Sequence, residues 1–472
     1  MQPYIELRWL HLVLLAWGAL LLWRLPVRRG GLWLLGLAGA VRWLTWEPRM
    51  HMHGDKGYNT FMTAWGASVD RVYGDAWPNF GSLGTMVHGP SAYSLHVYTA
   101  VLSALTVPWL FSAVLRATGD VRAARAAGVL LAVLPIPVTM SGTESPLVFA
   151  AMLQAVAVAA LLSDRRVDHA LGGLSLILLA STRPMQMIMA GAIWLAWAWK
   201  RPKSALLWVT AAALGWRALE FIEVVQEYGK PTGDMLDQLP GILSSLHLQV
   251  GPGARWGVTD PQFLPAGVLF LGLLGLVFRT RAAAPFLALW FLGAFLYLGQ
   301  GIRADQIRFH LPQTTWWAAL AGLGFAALPA WSGLRGAVAG LVTLSFLTAL
   351  QPRQRNTPWM VEHRFLLDVV SLPDPGAEVH YFRTVDSGVK IHRWLRVASP
   401  ATWEPIDAER AAPDPSAWYF IGTHDASTPP PSPGNRPLVA EHRFYGDWLG
   451  MPGASPGMQH LRLYGPEREP TP

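Results

Sequence analysis

Cysteine is absent from all 472 residues, which excludes disulfides and thiolate metal sites and leaves the compartment open. Charge is scarce too. Asp, Glu, Lys and Arg make up 14% of the chain, whereas a soluble protein carries about a quarter. The dinucleotide fingerprint GxGxxG, the Walker A loop, the HExxH zinc helix and the GxSxG nucleophile elbow are all missing. There is no short-period repeat. A cleaved leader is not expected either: Glu6 and Arg8 precede the first apolar run, and no small-x-small site closes it.

What the chain has in excess is apolar surface: 52% hydrophobic residues, 24 of the 472 being Trp. The excess is confined to residues 1–350; residues 351–472 read as an ordinary soluble sequence. The net charge of +7 is dispersed between apolar runs rather than gathered on one patch, so no nucleic-acid partner is expected. A membrane helix needs about 17–25 mostly apolar residues. Candidate spans fall near 7–23, 31–46, 93–115, 124–140, 146–162, 169–182, 185–199, 204–219, 263–278, 283–300, 311–329 and 334–350. The expected fold is therefore mostly α: a polytopic transmembrane bundle of about 12 spans, followed by a C-terminal soluble α/β or α+β domain.

One set of connections is short and basic: Arg24, Arg28 and Arg29; Arg116, Arg122 and Arg125; Arg165 and Arg166; Lys200, Arg201 and Lys203; Arg279 and Arg281; Arg335. The positive-inside rule assigns these to the cytoplasm. Loops 47–92 and 220–262 and domain 351–472 are then extracytoplasmic, and the chain is an inner-membrane, multi-pass protein. In the tail, helices are expected at Val361–Leu372 and Lys390–Arg396. Strands are expected at Glu378–Phe382, Ala417–Ile421, Leu438–Phe444 and His460–Tyr464, with a Pro-rich loop at Thr428–Pro437.

Polar residues beside spans are costly, so their clusters are the candidates for chemistry. The first is His51-Met52-His53-Gly54-Asp55-Lys56-Gly57-Tyr58, whose plain alternative is a solvated loop. His88-Gly89-Pro90 opens the third span and reads equally as a turn. Ser181-Thr182-Arg183-Pro184 reads as a functional Arg or a helix–turn–helix anchor. Gly142-Thr143-Glu144-Ser145-Pro146 reads as a polar site or a capped helix start. The last, Arg303 to Pro312, places Arg303, Arg308 and His310 on the face where cations are disfavoured, which calls for an anionic partner. Arg suits phosphate because its fork donates two hydrogen bonds at once. A carboxylate, outward arginines and an apolar groove suit a lipid-linked phosphate.

With these residues in hand, the chain resembles bacterial membrane glycosyltransferases of the GT-C fold. It is most similar to the protein-mannosyltransferase and aminoarabinose-transferase group. The resemblance runs over about residues 30–330 and rests on several stretches. They are His53-Gly54-Asp55-Lys56-Gly57-Tyr58, Gly89-Pro90-Ser91-Ala92-Tyr93, Arg125-Ala126-Ala127-Gly128 through Leu134-Pro135 to Thr143-Glu144, Thr182-Arg183-Pro184, and Arg308-Phe309-His310-Leu311-Pro312. Where that group often has a second acid in the first loop, this chain has Lys56.

The resemblance implies inverting transfer of a sugar from a polyprenyl phosphate to an envelope lipid, glycan or protein. Asp55 is then the general base, and Arg183, Arg303 and Arg308 are the phosphate partners. His53, Tyr58, His88, Glu144 and His310 shape the sugar and acceptor site. Asp70 and Asp75 are fallback acids. No cofactor is expected, although His51, His53 and Asp55 at alternate positions offer a divalent-metal alternative. The rival reading is a multi-span transporter or flippase, which would show related halves and midplane polar residues.

Overall fold

The computed structural model describes residues 8–27, 30–46, 48–51, 64–65, 75–89, 91, 93–227, 266–298, 311–329, 333, 335–337, 339–340, 360–382, 399–406, 414–423, 433–443 and 460–467. The helices are α1 (Trp9–Trp23), α2 (Gly31–Thr45), α3 (Ala76–His88), α4 (Ser94–Thr118), α5 (Val121–Val133), α6 (Pro135–Met140), α7 (Pro146–Leu161), α8 (Arg166–Ala180), α9 (Pro184–Lys200), α10 (Ala205–Glu227), α11 (Ala266–Phe278), α12 (Thr280–Leu298) and α13 (Leu311–Ala327). The strand β1 (Arg49–His51) follows α2. The tail contributes β2 (Met360–Glu362), α14 (His363–Ser371), β3 (Glu378–Phe382), β4 (Thr402–Ile406), β5 (Trp418–Thr423), β6 (Leu438–Arg443) and β7 (His460–Tyr464).

The helix starts are written locally. Asp120 caps α5, accepting from the amides of Arg122 (2.9 Å) and Ala123 (3.2 Å). Ser145 caps α7, with Pro146 at its first turn, and Pro184 opens α9. The core is apolar with polar side chains set into it, and large apolar side chains also face outward. His11, Gln154, Ser175 and Gln186 are buried between helices, while Leu22, Trp23, Trp43, Leu44, Leu195 and Trp199 face outward. Lipid makes that arrangement inexpensive, and water would not. Among the described residues α4, with 25 residues, is the helix that by length and apolarity alone qualifies as a span. It measures about 37 Å against about 30 Å of hydrocarbon. Helices α1, α2 and α7 are apolar but shorter.

The basic connections share one end of the bundle. Arg24 after α1 and Arg116 near the end of α4 both pair with Asp168 in the first turn of α8, at 2.5 and 3.2 Å. Arg201 after α9 pairs with Asp164, and Arg279 between α11 and α12 lies 3.6 Å from Asp120. Five of the basic connections are thus linked to one another.

Two departures from the sequence reading concern helices. The expected span 124–140 is two helices, because Pro135 has no N–H to continue α5 and instead opens α6. The expected loop 47–92 contains α3, in which Gly81 and Gly84 argue locally against a helix. Both are there for close approach. A Cβ on Gly84 would stand 1.7 Å from the Tyr98 hydroxyl, and one on Gly81 2.7 Å from Leu95, both on α4.

The tail holds a five-stranded mixed sheet of order β4-β3-β5-β7-β6, with β3 parallel to β4 and β5 and the remaining pairs antiparallel. The expected helix at Val361–Leu372 begins instead with β2. This strand pairs antiparallel with β1, Arg49 opposite Glu362 and His51 opposite Met360. The start of the tail is thereby joined to the chain segment leaving α2. The expected helix Lys390–Arg396 lies outside the described residues.

Candidate active site

Two of the sequence clusters, the turns of Glu144 and Ser181, meet at the end of the bundle opposite the basic connections. The Ala76 amide at the start of α3 donates to the Ser181 carbonyl (3.0 Å). The next residue, Trp77, donates from its indole Nε1 to the Glu144 carbonyl (2.9 Å). The first turn of α3 therefore bridges the turn before α7 and the turn before α9. Trp77 is fully buried, stacked on Phe80 at 5.7 Å and tilted against Phe149 at 5.6 Å.

Arg183 precedes α9 in extended conformation and is 9% exposed. Thr182 and Ser181 turn their hydroxyls back to the Leu179 and Ile177 carbonyls (2.7 and 2.9 Å). One turn into α9, Gln186 accepts from Gln154 of α7 (2.8 Å), and Trp316 of α13 donates to Gln154 (3.0 Å). A buried polar chain thus joins α9, α7 and α13. The first turn of α13 is itself buried, and its Gln313 sits beside Met189 of α9 around Gly293 of α12. Arg303, Arg308 and His310 precede that turn and lie outside the described residues.

Glu144 is 1% exposed and immediately precedes the Ser145 cap of α7. The helix-start reading of this stretch holds for Ser145, and the buried carboxylate is an addition to it. A carboxylate beside a helix N-terminus is favoured by the orphan amides there. His88 is elsewhere: it ends α3, about 18 Å along the axis from Ala76, and hydrogen bonds to Tyr98 of α4. Asp75 is engaged by Arg217 of α10 (2.8 Å), which also pairs with Glu220 and covers the Trp9 ring at 5.7 Å. His53, Asp55, Tyr58 and Asp70 lie outside the described residues; β1 ends four positions before Asp55.

The sequence reading passed over Trp77, Gln154, Gln186 and Trp316, which carry no motif. It also passed over Arg42, 2% exposed in α2. Arg42 donates to Ser103 (3.1 Å) and to the Ala132 carbonyl (2.6 Å), with Leu131 O at 3.5 Å. Those carbonyls lose helical donors where Pro135 interrupts α5, and the guanidinium replaces them. An Arg inside the apolar run 31–46 was the available signal, and the Pro135-Ile136-Pro137 break it serves lies in another run. Among the described residues, the group of His and carboxylate ligands close enough to share an ion lies in the tail, at Glu378, His380 and Asp414.

Neither a protein-family model nor a curated protein matches the sequence. Solved structures do match. ArnT from Cupriavidus metallidurans bound to undecaprenyl phosphate aligns at 13% identity over 92% of this chain and 97% of that one, with a TM-score of 0.51. The oligosaccharyltransferase AglB from Archaeoglobus fulgidus, in complex with an inhibitory peptide and a dolichol-phosphate, aligns at 13% identity over 80% of this chain, with a TM-score of 0.48. This chain spans 64% of the AglB length. The likeness to ArnT is one of fold, and the chain has the GT-C architecture that its sequence resembles.

Proposed function

We propose that this protein is a membrane glycosyltransferase that moves a sugar from a polyprenyl phosphate to an acceptor on the side of the membrane where the tail lies. The observation that carries the reading is the buried Arg183 at the turn gripped by α3 and backed by the Gln186–Gln154–Trp316 chain. An Arg held at the end of an apolar bundle suits the phosphate of a lipid whose tail lies along the helices. In this reading Arg303 and Arg308, which lead into the buried start of α13, approach the same phosphate. The fold of ArnT, solved with undecaprenyl phosphate, is compatible with such a donor.

The reaction is a single inverting displacement. The acceptor oxygen attacks the anomeric carbon, the bond from that carbon to the phosphate oxygen breaks, and the polyprenyl phosphate leaves with the electron pair. Asp55 takes the acceptor proton. The leaving group is already stable, so alignment and charge stabilisation by the arginines supply most of the acceleration. The acceptor is an envelope glycan, lipid or protein, and the tail, joined to the first loop through β1 and β2, takes part in selecting it. Incubating purified protein with radiolabelled polyprenyl-phosphate sugars and envelope extract tests the proposal. Label moving to an acceptor supports it, and label carried across vesicles unchanged overturns it.

A further inference from the structure

The tail carries a group of side chains that the proposed transfer does not use. Glu378 and His380 stand two residues apart on β3, and strand alternation puts them on one face. Asp414 opens the segment that leads into β5, the parallel neighbour of β3. One ligand atom from each of the three lies within 4.8 Å of the others. His380 Nε2 is 3.3 Å from Glu378 Oε1. Two ligands at zinc-bond lengths from one tetrahedral ion are spaced about 3.3–3.4 Å apart.

The imidazole is poorly satisfied by the protein itself. Its side chain is 12% exposed, and the contact with Glu378 is long for a hydrogen bond. Its Nδ1 is buried without a hydrogen-bond partner. Asp414 is oriented on one side only: Oδ1 accepts from the Ser416 amide (2.8 Å) and hydroxyl (2.7 Å), and no described hydrogen bond engages Oδ2. The nearby cation Arg436 acts on Asp414 through its charge but spends its hydrogen bonds elsewhere. Its guanidinium covers Tyr419 at 4.2 Å and donates to the carbonyls of Pro433, Ala417 and Asp414.

We propose that Glu378, His380 and Asp414 bind one first-row divalent cation, with zinc the ion whose ligand preferences they match. An imidazole among the ligands disfavours magnesium and calcium, which prefer oxygen alone. Three protein ligands leave a coordination position, and the exposed Glu378 opens it to solvent. The ion ties β3 to the lead-in of β5 and exchanges with the medium.

The test uses the full-length protein in detergent, stripped with a chelator and titrated calorimetrically with Zn²⁺. Visible absorption of the Co²⁺ form reports the ligand set. One ion per chain is expected, with His380→Gln and Asp414→Asn each weakening binding by about tenfold or more. The metal-free variants should melt with the metal-free parent, and His53→Gln should bind normally. No uptake by the parent protein overturns the site, as does unchanged binding in both variants. Loss confined to His53→Gln moves the ion to the first loop and overturns it equally. If a variant fails to fold, X-ray absorption of the zinc-loaded parent decides. One imidazole with oxygen ligands supports the site, and two or more imidazoles refute it.

Discussion

Trp77 on α3 donates its indole N–H to the backbone carbonyl of Glu144 across 2.9 Å, so a helix lying outside the expected spans is bonded to the turn that carries a buried carboxylate. Trp77→Phe keeps most of the ring and removes the donor. The carbonyl left behind costs about 1–3 kcal/mol. Thermal unfolding in detergent should register that loss, and turnover should fall because α3 also holds the Ser181 turn beside Arg183. Unchanged melting and unchanged turnover together would remove α3 from the site.

Arg183 tests the phosphate assignment. Charge-assisted contacts contribute about 1.5–3 kcal/mol, so Arg183→Ala should weaken donor use by about tenfold or more. Arg183→Lys keeps the charge and loses the fork, and should fall between the alanine variant and the parent. Donor titrations of the three proteins check this order. Equal donor affinity in all three would make Arg183 an anchor for the turn.

Asp55 and Asp75 of the first loop should separate cleanly. Asp55→Asn removes basicity with little change in size, and should lower turnover by about two orders of magnitude or more while donor binding stays near normal. Asp75 is already held by Arg217, so Asp75→Asn should lower thermal stability and leave turnover within a few-fold. The reverse pattern would move the base along the loop.

The tail has a pH dependence of its own. His442 on β6 lies against Phe365 of α14, ring centroids 4.8 Å apart, and burial pushes its pKa from the usual 6.5 down to about 4. The unfolded chain then binds a proton that the folded domain resists. This contribution is fully present above pH 6.5 and is lost as the pH falls toward 4, at a rate of at most about 1.4 kcal/mol per pH unit. Limited proteolysis of the tail at graded pH should show susceptibility rising through that window. His442→Phe, which keeps an aromatic ring against Phe365, should flatten the slope, and an identical slope in both proteins would assign the effect to other groups.

The apolar runs were readable from the sequence because they answer to the solvent alone. A stretch such as Ser94–Thr118 needs no partner to become a helix in lipid, since each backbone group is satisfied within it. Pro146 and Pro184 marked helix starts for the same local reason. The alternation of basic connections was also legible, and the structure gathers them at one end through Asp168, Asp164 and Asp120. Arg183 and Glu144 were found as polar residues out of place.

What was not legible depended on partners distant in the chain. The glycines of α3 argue for a loop until Tyr98 and Leu95 are placed against them. In β4, Pro405 argues against a strand until the sheet order makes β4 an edge, where a missing donor is tolerated. Arg42 reads as a fault in an apolar span until the carbonyls released by Pro135 come within reach of it. The sequence alone determined which segments are apolar and which connections carry charge, because transfer from water to an apolar phase is a property of the residue. Only the tertiary structure decided that β1 pairs with β2 and that α3 binds the turns of Glu144 and Ser181. Those contacts exist only once the chain has closed on itself, because their energy belongs to pairs and is written in neither member alone.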